Sequence, residues 1–209
     1  PRTIVWCGTD ILYLRDRWRI IAPLIKFFNA RHICENEQER YELWNYGIRA
    51  EIKYIFYGDP DRYPISFKPS ETPHVFLHCH SGKDPEYAAK QSGLDVIESE
   101  IAEKVPEVTF HIYGRKTPYH QLWWDHQGRL HNRDYATNSN IIYHGKVSRS
   151  QFDEDIKLYH SAIRLNGFDG FAETLAKSVL MGQYPISAIK YPYIDYAPDK
   201  QTLIKLLNE

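Results

Sequence analysis

The sequence predicts an α/β protein with a Rossmann-like, doubly wound parallel sheet, preceded by a small or truncated second α/β unit. Three observations lead to this fold class. Short runs rich in β-branched and aromatic residues alternate with amphipathic helical segments through most of the 209 residues. Glycines such as Gly8 and Gly58 follow several strand-like runs, which is typical of strand ends. Strands that alternate with helices need crossover connections and therefore form a parallel sheet.

Composition narrows the class of protein. The chain is 43% hydrophobic and 25% charged, as in ordinary soluble domains. Its net charge of -1 provides no basic field, so nucleic-acid binding is disfavoured. Cys7, Cys34 and Cys79 lie far apart without a CxxC pair, which favours reduced thiols. No apolar run reaches the roughly 20 residues that span a bilayer, and we expect a cytoplasmic protein.

The first unit, residues 1–57, contains three strand-like and two helical segments. In order these are RTIVWCG, RDRWRIIAPLIKFFNA, RHICEN, EQERYELWNYG and AEIKYIFYG. Residues 58–73 hold four prolines and predict a linker. Two or three strands make a poor independent sheet with both faces covered.

The second unit, residues 74–209, has the pattern of a nucleotide-binding α/β domain. Strands are expected at HVFLHCH, VTFHIYG, NIIYHG, IRLN and YPIS, and helices at GLDVIESEIAEKV, SQFDEDIKLYHSA and DKQTLIKLLNE. Residues 115–139 form an insertion too long for an ordinary connection. Ligands of open α/β sheets bind beyond the carboxyl ends of the strands, so the loops after the strands are the places to search.

The loop after IRLN leads into GFDGFAETLAKSVLMGQYPIS, from Gly167 to Ser187. Apolar residues recur from Ala172 at helical spacing, and Gly182 is placed to end the helix. Amides at the start of a helix lack partners and attract anions, so this loop is a candidate ligand site. The alternative, favoured by spacing alone, is that Asp169 caps the helix.

An acid-Gly-Phe loop, an apolar helix, Met-Gly and a Pro-Ile strand resemble the nucleotide-sugar-binding motif of retaining GT-B glycosyltransferases of family 4. GLDVIESEIAEKVPEVTFHIYG and NIIYHGKVSRSQFDEDIKLYHSAIRLN resemble the preceding elements of that family, and CENEQERYELWNYGIRAEIKYIFYG the end of its first domain. The resemblance covers most of the chain except the insertion. Because the family has a full Rossmann-like first domain, the resemblance implies that residues 1–57 are minimal, a fragment, or completed by another subunit. It implies a metal-independent hexosyltransferase with a nucleoside-diphosphate sugar as donor substrate, and no cofactor.

The resemblance also assigns roles to residues of the loop and helix. Asp169 would hold hydroxyls of the donor sugar, and the amides of Gly170, Phe171, Ala172 and Glu173 would receive the diphosphate. Lys177 stands where the family has the acid that holds the ribose. Either Lys177 is a solvated partner of Glu173 at i, i+4 spacing, which is favoured, or its ammonium reaches a phosphate.

Further positions follow from the same resemblance. Gly82 and Lys83, with Lys90 nearby, would supply the cation that stabilises the leaving diphosphate, although SGKDPEYAAKQSG is also typical of a solvated loop. Gly114 and Arg115 fall where the base is held, and Arg115 is expected to stack on it. The acceptor, a sugar, lipid-linked or protein group, would enter near Thr9 and Asp10, and the expected catalytic residues are Asp169, Lys83 and Asp10.

Other features carry weaker signals. His78 and His80 share one face of a strand while Cys79 points the other way, which argues against a metal site. Trp123 and Trp124 form either a stacking platform or a buried part of the insertion. RWRIIAPLIKFF is more typical of a sheet-covering helix than of a peripheral membrane contact, and a homo-oligomer stays open.

The main functional alternative is a non-catalytic nucleotide- or glycan-binding module derived from a glycosyltransferase, favoured by Lys177 and by the short first unit. A generic dinucleotide-binding protein is disfavoured because no GxGxxG follows the first strand of either unit.

Overall fold

A computed structural model describes residues 2–27, 29–65, 67–68, 70–79, 85–116, 122–124, 130–132 and 138–209. The chain divides into two compact units. Unit 1 comprises Pro1–Asp59 together with Phe168–Ala176, and unit 2 comprises Pro60–Gly167 with Lys177–Glu209. The acid-Gly-Phe loop, which the sequence pattern assigns to the second domain, therefore packs with the first.

Unit 1 is a three-stranded parallel sheet of order β1-β2-β3 with two helices. Its elements are β1 (Thr3–Val5), α1 (Thr9–Phe27), β2 (Arg31–Cys34), α2 (Glu37–Asn45) and β3 (Ala50–Ile52). Apolar side chains of α1 and α2 cover the sheet, with Ile11, Leu14 and Leu43 fully buried. Pro23 lies inside α1. No helix in the described ranges is long and apolar enough to cross a bilayer.

Unit 2 is a six-stranded parallel sheet of order β11-β10-β9-β4-β5-β8. Its strands are β4 (His74–His78), β5 (Thr109–Tyr113), β8 (Ile141–Gly145), β9 (Ser161–Arg164), β10 (Ile186–Ser187) and β11 (Asp195–Tyr196). Its helices are α3 (Pro85–Ser92), α4 (Leu94–Val96), α5 (Arg149–Asp155), α6 (Glu173–Leu180) and α7 (Lys200–Asn208), where α6 begins within the segment that packs with unit 1. The predicted α/β class with Rossmann-like parallel sheets is confirmed.

Three elements differ from the sequence-based expectations. PEYAAKQS forms helix α3 rather than a solvated loop, because Pro85 suits the first turn of a helix and Ala88 and Ala89 are buried in the core. Strand β11 (Asp195–Tyr196) was not among the strands expected from the sequence. The insertion contains an antiparallel pair, β6 (Leu122–Trp124) and β7 (Leu130–Asn132).

The helix after Gly93 changes its hydrogen-bond pattern along its length. Leu94–Val96 is α-helical, Ile97–Ile101 is π-helical and Ala102–Lys104 ends the element as a 3-10 helix. The Asn140 side-chain amide donates to the carbonyls of Ala102, Val105 and Val108 at 2.9 to 3.2 Å. One side-chain amide thus satisfies carbonyl groups at the end of this helix and just after it, and it holds this segment near the start of β5.

A chain of three hydrogen-bonded histidines joins the neighbouring strands β4, β5 and β8 of unit 2. His74 Nδ1 lies 2.8 Å from His111 Nε2, and His111 Nδ1 lies 2.9 Å from His144 Nε2. The ring of His111 also stacks on Tyr159, with centroids 4.2 Å apart. Burial, together with the neighbouring rings of His144 and His74, lowers the pKa of His111 to about 4. Burial also lowers the pKa of His74 and of His144.

These shifts predict that acid destabilises unit 2. Because the pKa of His111 is lower in the folded state, the unfolded chain binds more protons between pH 6.5 and 4. The stabilisation is therefore fully present above pH 6.5 and is lost as the pH falls towards 4. Hydrogen exchange of peptides from β4, β5 and β8, corrected for intrinsic rates, should show protection falling across this range. His111→Leu should flatten the dependence, and constant wild-type protection would contradict the prediction.

Candidate functional site

The carboxyl end of the unit 1 sheet brings together three chain segments. Gly8 follows β1, Glu35 and Asn36 follow β2, and the acid-Gly-Phe segment packs beside them. Asn36 joins two of these segments because its Oδ1 accepts from the Glu39 amide at 2.9 Å and its Nδ2 donates to the Asp169 carbonyl at 2.6 Å. Asn36 is also the N-cap residue of α2. The cap that starts the helix therefore positions the loop that carries Asp169.

Two glycines allow these segments to approach each other. Gly8 has a φ of +33°, and a Cβ there would lie 2.9 Å from the Gly170 nitrogen. A Cβ on Gly170 would lie only 2.3 Å from Glu35 Oε2. Gly8 is therefore required by its positive φ and by the close approach of the Gly170 backbone, whereas a side chain at Gly170 would displace the Glu35 carboxyl.

Two buried glutamates occupy this contact. Glu35 is 2% exposed and Glu39 is fully buried. The Phe171 amide donates to Glu35 Oε2 at 3.0 Å, while Glu39 accepts from the Gly8 amide at 2.5 Å and from the Glu35 amide at 2.7 Å. Glu35 Oε1 has no hydrogen-bond partner among the described residues.

Burial raises the pKa of Glu35 to about 7; the hydrogen bond from the Phe171 amide opposes this rise, and the charges of Glu39 and Asp169 contribute to it. Burial likewise raises the pKa of Glu39 to about 7, opposed by its backbone donors. Buried carboxyls that titrate near neutral pH are suited to proton transfer and are frequent at functional sites. Besides burial, the charge of Asp169 raises the pKa of both glutamates.

Aromatic side chains line the same end of unit 1. Tyr54, which follows β3, packs edge-on against Phe171 with centroids 5.6 Å apart. The Tyr57 hydroxyl lies 3.4 Å from Cys7 Sγ, and burial raises the pKa of the Cys7 thiol. Asp169 is half-buried, and its Oδ1 accepts from the Gly170 amide at 3.0 Å.

Two details of the sequence-based interpretation are corrected. Helix α6 begins at Glu173, so Asp169 lies four residues before the helix and is not its N-cap residue. The Phe171 amide, expected to lack a partner, donates to Glu35. Ala172 is half-buried and Glu173 is exposed.

Lys177 is buried within unit 2 rather than solvated. It is 3% exposed, and its ammonium donates to Asp153 Oδ1 at 2.6 Å. Asp153 Oδ2 accepts from the Tyr63 hydroxyl at 3.0 Å. The ammonium also lies 5.2 Å from the ring centroid of Tyr63 and 5.5 Å from that of Phe152. The favoured interpretation of Lys177 as a solvated partner of Glu173 is therefore wrong.

The remaining candidate residues lie in different elements. Asp10 is exposed in the first turn of α1, and Lys90 is exposed in the last turn of α3. Gly114 has a φ of +89°, and a Cβ there would lie 2.1 Å from the Cys79 carbonyl, so its backbone geometry requires glycine. Arg115 is 9% exposed, and its stacking on a base stays a prediction. Gly82 and Lys83 lie outside the described residues.

The sequence argues against a metal site at His78, Cys79 and His80. Cys79 is buried and donates to the Ala88 carbonyl, whereas His78 is exposed; His80 lies outside the described residues. Within the described part of the chain, no group of three or more His, Cys, Asp or Glu side chains is placed to hold a metal ion. The side chains of Trp123 and Trp124 are not described.

Sequence reasoning missed Glu35 and Glu39 as candidates. The signal was present, because Asn36 and Glu39 stand at the N-cap and N3 positions of a capping box just after a strand. In that motif the N3 carboxylate turns back towards the start of the helix. A glutamate directed to the carboxyl end of a parallel strand is therefore predictable from this spacing.

Comparison with known proteins bears on the fold. No family model matches the chain, and no curated protein matches it in sequence. Among solved structures, the lipopolysaccharide outer core galactosyltransferase WaaB is similar over 78% of this chain and 44% of its own, with 15% identity and a TM-score of 0.51. TarM of S. aureus is similar over 90% of this chain at 11% identity and a TM-score of 0.46. The pneumococcal O-GlcNAc transferase GtfA, in complex with UDP and GlcNAc, is similar over 84% of this chain at 15% identity and a TM-score of 0.47.

The chain spans less than half the length of these proteins, 44% of WaaB and 36% of both TarM and GtfA. At this identity the likeness to WaaB shows the fold alone, and it agrees with the GT-B-like fold that the resemblance implied.

Because Lys177 and Asp153 form a buried pair, we expect their substitutions to lower the free energy of unfolding in a strongly non-additive way. Lys177→Met leaves the Asp153 carboxylate buried without its cation, and we expect the free energy of unfolding to fall by about 3 to 5 kcal/mol. Lys177→Met with Asp153→Leu removes both charges and should recover most of that loss. Urea denaturation of the two single variants and the double variant measures the coupling. The exposed pair of Lys200 and Glu100 serves as control, where Lys200→Met should cost below about 1 kcal/mol, and additive losses at Lys177 and Asp153 would contradict the prediction.

Proposed function

We propose that the chain belongs to a glycosyltransferase that transfers a sugar with retention from a nucleoside-diphosphate sugar to an acceptor. The observation that supports this most directly is the hydrogen bond from the Phe171 amide to the buried Glu35 carboxyl. An amide that already binds a carboxyl oxygen at the end of a parallel sheet is oriented to receive an anionic oxygen. The shared fold with a galactosyltransferase is consistent with this proposal.

In the proposed reaction the protein binds the donor and stabilises its leaving group. Asp169 accepts hydrogen bonds from hydroxyls of the donor sugar. The amides from Gly170 to Glu173, together with Lys83, receive the diphosphate, on which negative charge grows as the glycosidic bond breaks. Asp10 contacts the acceptor at the start of α1. The proposal requires no metal ion, since backbone donors and a lysine provide the positive potential.

Glu35 competes with the diphosphate for the Phe171 amide. One N–H group donates one strong hydrogen bond, and Glu35 Oε2 holds it at 3.0 Å. A phosphate oxygen must therefore displace this carboxyl or share its donor. The raised pKa of Glu35, about 7, lets the group become neutral near physiological pH, which removes its repulsion of the incoming anion.

Asp169→Asn tests the sugar-binding role. We expect the variant to retain affinity for UDP, GDP, ADP or dTDP, whichever wild type prefers, and to lose at least tenfold in discrimination between sugars on that nucleotide. The reason is that the carboxylate contacts hydroxyls rather than phosphates. Thermal shift with the nucleotides and their sugars, followed by donor hydrolysis, measures binding and turnover separately. Absence of stabilisation by every nucleotide would refute the donor site, and binding without turnover would favour the non-catalytic module.

Glu35→Gln tests the competition for the amide. Glutamine keeps a carbonyl acceptor but removes the charge, so we expect nucleotide affinity at pH 8 to rise about tenfold. At pH 6, below the pKa of about 7, wild type and variant should bind almost equally, because Glu35 is then largely neutral. Calorimetric titration with UDP at both pH values provides the measurement. Glu51→Gln makes the same charge change at an exposed site of unit 1 that pairs with Arg31 and should leave affinity unchanged.

A further inference from the structure

A groove on the outer face of α2 has features of a separate binding site. Its cavity volume is about 520 Å³, which falls in the range of small-molecule sites. The groove is lined by Glu37, Arg40, Tyr41, Trp44, Arg49 and Ala50. These residues belong to unit 1, and none of them takes part in the contacts around Glu35.

The groove follows from the two faces of α2. Glu39 and Leu43 are buried on one face. Glu37, Arg40, Tyr41 and Trp44 recur at i, i+3, i+4 and i+7 and therefore lie on the opposite face. Tyr41 is 66% exposed and Trp44 is 60% exposed. Two large aromatic side chains on the solvent face of a nine-residue helix exceed what folding of unit 1 requires.

The turn after α2 completes the opposite wall. Gly47 adopts a φ of +72°, and the buried Ile48 anchors the chain behind it. The Arg49 guanidinium consequently lies over the Trp44 ring, 5.6 Å from its centroid. Ala50, the first residue of β3, presents only a methyl group at the groove. Arginine, tryptophan and tyrosine together are the side chains most enriched at binding hot spots.

The polar groups of the groove select the ligand. Arg40 pairs with Glu37 one helical turn away, so the groove presents donors and an acceptor side by side. Sugar hydroxyls both donate and accept, and the flat faces of Tyr41 and Trp44 suit the apolar face of a sugar ring. Two arginines against one glutamate leave a net positive charge, which favours a carboxylate or phosphate on the ligand.

The size of the groove argues against a protein partner. A stable protein interface needs about 800 Å² from each side and 20 to 30 residues, whereas six residues line this groove. We infer that the α2 groove binds a short acidic sugar chain, with its rings on Tyr41 and Trp44 and its acidic group at Arg40 and Arg49. This site is separate from the proposed donor site and does not depend on the transfer reaction.

Titration of the intrinsic tryptophan fluorescence, supported by calorimetry, tests the inference with named probes. We expect trigalacturonate or a hyaluronan tetrasaccharide to bind at least tenfold more tightly than neutral maltotriose at 150 mM salt. Trp44→Ala should weaken binding of the acidic probe at least tenfold. Arg49→Gln should weaken the acidic probe while leaving maltotriose unchanged. Tyr13→Ala, at another exposed aromatic residue of unit 1 that is 64% exposed, should have no effect.

Each other outcome overturns the inference. Failure of both acidic probes to bind, or equal binding by maltotriose, would show that the groove does not select acidic sugars. Tighter binding of UMP than of either oligosaccharide, with the same loss in Trp44→Ala, would instead assign a nucleotide. Melting temperatures of the variants provide the folding control, because Trp44 and Arg49 are surface residues whose replacement is expected to leave the core of unit 1 intact.

Discussion

The arrangement of three segments of unit 1 depends on the contact between Glu35 and the Phe171 amide. For a carboxyl to reach that amide, Gly170 must lack a side chain, Gly8 must turn the chain away at positive φ, and Glu39 must hold the Glu35 backbone from the helix side. Each requirement falls on a different segment of the sequence. The loop, the strand end and the capped helix therefore form one cooperative arrangement, in which a change at any member is felt by the others.

In this arrangement the same backbone amide contributes to stability and takes part in the proposed ligand binding. A backbone donor that is satisfied internally stabilises the folded chain, because an unpaired buried N–H is costly. A ligand that needs the same donor gains only the difference in free energy between its own hydrogen bond to the amide and the bond that Glu35 makes. The proposed donor site is thus tuned by the internal carboxyl and its proton, and affinity reflects exchange of one oxygen for another rather than filling of an unused position.

Local sequence patterns were enough to predict most strands and helices, because the spacing of apolar residues and the positions of glycines reflect constraints within a few residues. It could not place Phe168–Ala176 with the first unit, because that packing depends on residues 130 positions or more away, such as Glu35 and Asn36. Lys177 shows the same limit. Its helical spacing to Glu173 suggested a surface pair, and only the tertiary position of Asp153 makes it a buried cation. The capping box at Asn36 is the exception, since its spacing is local and already directs Glu39 inward.

His74, His111 and His144 in unit 2 form a hydrogen-bonded chain with only two neutral arrangements of its protons. His111 bonds through both ring nitrogens, and in a neutral ring one nitrogen donates and the other accepts. If His74 donates to His111, then His111 must donate to His144; if His144 donates, the direction reverses through to His74, whose Nε2 lies 3.3 Å from the Thr72 hydroxyl. The tautomer of His74 on β4 therefore fixes the tautomers of His111 on β5 and His144 on β8, so three neighbouring strands share one choice between two proton arrangements.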